Sequence, residues 1–210
     1  MKQYSDKDPE IYEFKELDLS GTYSYANYLK WQFDERLELI KGKVFEMSPA
    51  PLPFHQLVLG KVFFELYTYF KNQPCLLFPA PFDVRFPTGS NLDKDIYTVV
   101  QPDITIVCDH NIIDGWGCLG APDVTVEILS PGNRKKDLYI KHDLYEEFGV
   151  KEYWIADPDE QLILKYALNS KGLYSKAVEY SNTDTFTTEL FPGMSISLAE
   201  VFENPLEKNH

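Results

Sequence analysis

APDVTVEILSPGNRKKDLYIKHDLYEEFGVKEYWIADP, residues 121–158, reads as strand, helix, strand. Over 121–129 a period of two places Val124, Val126 and Ile128 on one face and Asp123, Thr125, Glu127 and Leu129 on the other. Residues 150–156, VKEYWIA, form a second strand that Asp157-Pro158 stops. Between them, 137–148 predicts an amphipathic helix, ended by Gly149 in the position favoured for a left-handed cap. At about 100° per residue, Leu138, Ile140, Leu144, Tyr145 and Phe148 share one arc. Lys141 falls near its centre with Asp137 one turn behind, while His142, Asp143, Glu146 and Glu147 take the outer side. An ammonium group aimed at the interior loses hydration and needs a buried anion beside it. The best-placed carboxylates are Glu127 and Asp103, the latter in VVQPDITIV, and with Lys141 they suggest a metal-dependent phosphodiesterase site.

Working outward, 99–108 predicts a strand in which Ile104, Ile106 and Cys108 alternate with Gln101, Asp103, Thr105 and Val107. If this strand and 121–129 pair antiparallel about Asp114-Gly115, Asp103 and Glu127 lie nearly opposite, each twelve residues from Gly115. Two carboxylates so close repel unless one is protonated or a cation sits between them. A hard divalent ion with oxygen ligands, Mg²⁺ or Mn²⁺, suits such a pair.

The remainder supplies an α/β frame with a mixed sheet. Residues 75–86 form a further strand. Upstream, 55–71 carries Leu59, Val62, Phe63, Leu66, Tyr69 and Phe70 at helical spacing. Pro49, Pro51 and Pro53 break the chain before it. LELIKGKVFEM, 37–47, predicts a hairpin turning at Lys41-Gly42, and 22–33 a short helix with Tyr25, Tyr28, Leu29 and Trp31. A C-terminal hairpin over 161–180 turns at 169–172. The expected organisation is an arm over 1–21, one domain over 22–202 and a tail over 203–210.

With 44% hydrophobic and 15% aromatic residues, 210 residues can bury a substantial core. No apolar run approaches bilayer-spanning length and MKQYSDKDPE lacks a secretory hydrophobic stretch, so no membrane association and a cytoplasmic location are expected. Cys75, Cys108 and Cys118 are odd in number and lack C-x-x-C spacing, which predicts free thiols. The net charge of −13 repels a polyanion at long range. Asn133-Arg134-Lys135-Lys136 is either a local nucleic-acid contact or a solvated helix start.

LELIKGKVFEMSP, His55-Gln56 opening a helix, QPDITIV, the 121–158 block and ELFPGMSISL together resemble the Uma2 family of restriction endonucleases, within the PD-(D/E)XK nuclease-like superfamily, over about residues 22–202. The resemblance implies a restriction-endonuclease-like αβββαβ core, Mg²⁺-dependent endonuclease cleavage of a phosphodiester, with DNA the expected substrate, and Asp103 and Glu127 as metal ligands, to which the backbone carbonyl of Ile128 is the expected addition. The superfamily's lysine usually lies two residues after the acid, where this chain has Leu129, so the resemblance implies that Lys141 has taken the role. Glu46 becomes a possible active-site acid on the same grounds, and His55, Asp137 and Tyr145 possible supporting residues. The plain alternatives are a surface acid for Glu46, a structural histidine for His55, an N-terminal helix acid for Asp137 and a core tyrosine for Tyr145. Enzymes that cut both strands pair two active sites, so a homodimer is expected. The competing expectation is a binding or assembly module on the same scaffold without turnover.

Overall fold

The computed structural model describes residues 10–47 and 52–206; Pro49, Pro51 and parts of the expected arm and tail lie outside the described residues. The chain forms two compact units, one of Met1–Met47, Asp83–Gln101 and Asn111–Ala121, the other of Ser48–Phe82, Pro102–His110 and Pro122–His210.

The first unit is built on a six-stranded sheet in the order Lys43–Glu46, Leu37–Ile40, Val99–Val100, Asp83–Arg85, Gly117–Leu119, Ile113–Asp114. Its hairpin turns at Lys41 and Gly42, as the sequence predicts. Both have positive φ, 52° and 77°, the geometry a two-residue turn needs to match strand twist. The predicted helix over 22–33 is confined to Tyr25–Tyr28, whose Tyr25 packs with Leu39, Ile96 and Val99. Arg85 is fully buried, paired through Nη2 with Asp114 Oδ1 at 2.5 Å and lying 5.2 Å from the centre of the Tyr25 ring.

The second unit carries the αβββαβ core. Its helix Pro53–Phe70 starts with proline at the first turn, where a missing N–H costs nothing. Val58, Val62, Leu66 and Phe70, one turn apart, bury against one face of a mixed six-stranded sheet through Ile104, Ile106, Val124, Val126, Ile128 and Trp154. The sheet order is Val178–Ser181, Leu162–Ala167, Glu152–Asp157, Val124–Ile128, Ile104–Val107, Leu76–Pro79. Only Glu152–Asp157 and Val124–Ile128 run parallel; the helical segment Lys136–Phe148 connects them, as a parallel pair requires.

Two expected strands are each divided between the sheets. Residues 75–86 give Leu76–Pro79 and Asp83–Arg85, and residues 99–108 give Val99–Val100 and Ile104–Val107. Pro81 and Pro102 stand at the breaks, where the absent N–H cannot continue a ladder. Cys75 and Cys108 form a disulfide, contrary to the expectation of free thiols, while the buried Cys118 stays outside any disulfide and donates from Sγ to the Gly120 carbonyl. The cause is register: Leu76 pairs with Val107, which brings residues 75 and 108 face to face one step beyond the ladder. Among the described residues no helix is long and apolar enough to cross a membrane.

Candidate active site

Asp103, Glu127 and Lys141 all belong to the second unit: Asp103 immediately precedes the strand Ile104–Val107, Glu127 lies in Val124–Ile128 and Lys141 in the helical segment Lys136–Lys141. Strands Ile104–Val107 and Val124–Ile128 pair antiparallel with Ile104 against Val126 and Thr105 against Thr125. One further step along this register sets position 103 against position 127. The antiparallel register is thus the one the sequence predicts, with Asp103 one residue before the ladder's last pair, although the intervening chain is not a simple hairpin: residues 111–121 belong to the first unit.

Val124 and Val126 face the helix Pro53–Phe70, so Thr125 and Glu127 face the opposite side of the sheet. All five residues of this strand are buried, which marks a sheet covered on both faces. On Glu127's side the cover is the segment Lys136–Phe148. Lys141, 1% exposed, donates from Nζ to Glu127 Oε1 at 2.7 Å, and the hydroxyl of the fully buried Tyr145 donates to the same oxygen at 2.9 Å. Asp137, also buried, brings Oδ1 to 3.7 Å from the ammonium. One cation thus lies between two buried carboxylates, an arrangement in which its charge offsets the desolvation of both.

The phase of this helix differs from a uniform 100° wheel. Lys136–Lys141 is π-helical and His142–Phe148 α-helical. The wider turn rotates the first residues relative to those that follow, so Lys136, Asp137, Lys141, Leu144 and Tyr145 are buried while Ile140 and Tyr139 face out. Ile140 was expected on the buried arc and is not there. The basic stretch 133–136 is likewise altered: Lys136 turns inward and Arg134 pairs with Asp157 at 2.6 Å, leaving Lys135 exposed.

Asp103 is held at the strand's edge. Its Oδ2 accepts the Ile128 N–H at 2.7 Å, and the Ile128 carbonyl is 2.9 Å from His55 Nε2. His55 itself is buried at the start of its helix, with Nε2 3.8 Å from Asp103 Oδ2. Of the remaining expected residues, Glu46 is exposed at the end of its strand in the first unit.

Tyr153 belongs to the site and is not singled out by the sequence reading. Its parallel register with Thr125 puts it on Glu127's face, and its hydroxyl donates to the Asp137 carbonyl at 3.0 Å. Burial first, then the negative charges of Glu127 and Asp137, push its pKa well above the usual tyrosine value, so it stays a protonated donor. The available signal was the period-two pattern of YWIA, in which Tyr153 and Ile155 share the face opposite Trp154.

Among the described residues no group of three or more His, Cys, Asp and Glu side chains is placed to hold a metal ion. What the chain offers is two carboxylates, Asp103 and Glu127, and one main-chain carbonyl, Ile128. These are hard oxygen donors, the chemical type that Mg²⁺ and Mn²⁺ take, ions that keep several waters and need few protein ligands.

A family profile described as "Putative restriction endonuclease", Uma2, matches residues 25–199. The chain belongs to the Uma2 family. Among solved structures it is similar to a crystal structure described as a putative nuclease belonging to DUF820 from Anabaena variabilis. The TM-score is 0.64 at 21% identity, over 86% of this chain and 97% of that one, a likeness of fold. No curated protein matches. Family and fold together make the chain nuclease-like.

Proposed function

We propose that this chain is a divalent-metal-dependent endonuclease that hydrolyses phosphodiester bonds in DNA, with Asp103, Glu127 and Lys141 as its reacting constellation. The observation that carries the reading is Lys141, a buried ammonium held 2.7 Å from Glu127 on a strand whose antiparallel neighbour leads out of Asp103. An ion pair kept for stability alone is a poor use of three buried charges, since apolar replacements of such groups are often as stable or more so.

Asp103, Glu127 and the Ile128 carbonyl would hold Mg²⁺ or Mn²⁺. An ion there supplies a Lewis acid for the phosphate and a water of lowered pKa. Lys141 contributes a preorganised positive charge where negative charge develops on the phosphoryl oxygens, worth most in a buried, low-dielectric setting. Tyr145 fixes the Glu127 carboxylate, Asp137 holds the ammonium from the other side, and Tyr153 anchors the turn that carries Asp137. Cutting both strands of a duplex would take two copies of the site, hence a homodimer.

The acidic excess of 13 charges favours a second reading, a binding module without turnover. Plasmid nicking separates the two. With Mg²⁺ or Mn²⁺ the wild-type chain converts supercoiled DNA to open circles, and Lys141→Ala and Glu127→Gln do not. Equal nicking by both variants, or none by the wild type under any divalent ion, removes the enzyme reading.

A further inference from the structure

We propose that His55 is a positioning residue that holds the main-chain carbonyl of Ile128, aligning it and the Asp103 carboxylate for one divalent cation. The inference rests on the ligand set given above. Residue 128 is held at both of its main-chain polar groups: its N–H donates to Asp103 Oδ2 at 2.7 Å and its carbonyl lies 2.9 Å from His55 Nε2. A carbonyl oxygen can only accept, so Nε2 carries the hydrogen and donates. The same nitrogen stands 3.8 Å from Asp103 Oδ2, so one edge of the imidazole faces both candidate ligands.

This choice of residue is costly for packing alone. With Nε2 as donor, Nδ1 is left buried with no hydrogen-bond partner among the described residues, whereas buried polar atoms in folded proteins are ordinarily satisfied. The ring has little freedom to move away. It sits in the first turn of Pro53–Phe70, and Val58 and Val62 on the same helix are locked into the core. A carbonyl oxygen has two lone pairs, so a single bond from His55 orients and polarises it while leaving a direction for a cation. Partners of this kind typically set metal affinity by a factor of about 10–100.

Isothermal titration of the full chain with Mn²⁺ tests this, comparing wild type with His55→Leu, His55→Asn and His55→Gln, and recording each thermal midpoint without metal. The Gln amide nitrogen can stand where Nε2 stands; that of Asn is too short to reach. Expected is a loss of about 10–100-fold in Mn²⁺ affinity for Leu and Asn, with Gln restored to within about tenfold of wild type. Wild-type affinity in the Leu or Asn variant overturns the proposal, as does an equal loss in Gln and Asn, which would make the role one of packing. If the Leu variant fails to fold, the Asn and Gln pair decides alone. Absence of Mn²⁺ binding by the wild type instead overturns the ligand assignment itself, and the role of His55 with it.

Discussion

Replacing Lys141 with methionine keeps the length of the side chain and removes its charge, leaving Glu127 and Asp137, 4% and 2% exposed, without the cation between them. Breaking a buried pair by removing one partner costs about 3–5 kcal/mol, because the surviving charge stays buried and uncompensated. The Tyr145 hydroxyl remains on Glu127 Oε1 and offsets part of this, but a second carboxylate is exposed to the same loss, so the full range applies. For a chain of this size each kcal/mol moves the thermal midpoint by about 2–4 °C, giving a fall of about 6–20 °C for Lys141→Met. Adding Glu127→Gln removes one of the stranded charges. The double variant should therefore be more stable than the sum of the single changes predicts, by about 0.5–3 kcal/mol. Urea denaturation followed by circular dichroism gives all four corners of the cycle. A Lys141→Met loss below about 1 kcal/mol, or single effects that add to within about 0.5 kcal/mol, would refute the claim that these groups form one buried charge network.

Further outcomes are specific to other parts of the chain. Gly117 has φ of +135° and a Cβ there would lie 2.3 Å from the Asp83 carbonyl oxygen, so Gly117→Ala should lower stability by at least about 1–3 kcal/mol; a neutral effect in chemical denaturation would contradict the close strand approach. Under denaturing, non-reducing conditions thiol titration should find one reactive cysteine, Cys118, and a count of three would remove the Cys75–Cys108 bond. Breaking that bond with Cys75→Ser and Cys108→Ser together, across a separation of 33 residues, should cost about 3–4 kcal/mol in the chain-entropy treatment. Burial raises the pKa of Asp83 above its ordinary 3.8, against the opposing bonds from Gln101 and Tyr25. Between the two values the folded chain binds more protons than the unfolded one, so this group's contribution improves as pH falls through the raised pKa and is lost as pH rises. Asp83→Asn should therefore gain stability relative to wild type at neutral pH more than near pH 4, and the reverse order in paired denaturation curves would show the sign to be wrong.

The sequence made the chemistry of the second unit legible because that chemistry follows from short periodicities. Period two in 121–129 isolates Glu127 from the valines, and the equal spacing of Asp103 and Glu127 about Gly115 anticipates the antiparallel register that the sheet adopts. Helical spacing turned Lys141 inward, and the contact with Glu127 follows from it. What escaped depends on longer-range geometry. The π-helical start shifts the phase of Lys136 and Ile140, and no propensity announces where an extra residue enters a turn. Pro81 and Pro102 divide continuous apolar runs between two sheets, a signal present in the sequence but outweighed by the β-rich residues around it. Counting cysteines could not reveal the Cys75–Cys108 bond, since it arises from cross-strand register rather than spacing. The part played by His55 is of the same kind: its partner is a carbonyl 73 residues away, and backbone groups leave no mark in a sequence.

Crystals grown with Mn²⁺ and measured at the manganese absorption edge test the central claim most directly. The account predicts one anomalous peak within coordination distance of the Asp103 and Glu127 carboxylates and the Ile128 carbonyl, lost in Asp103→Asn. A peak elsewhere, or the same peak undiminished in that variant, would contradict it.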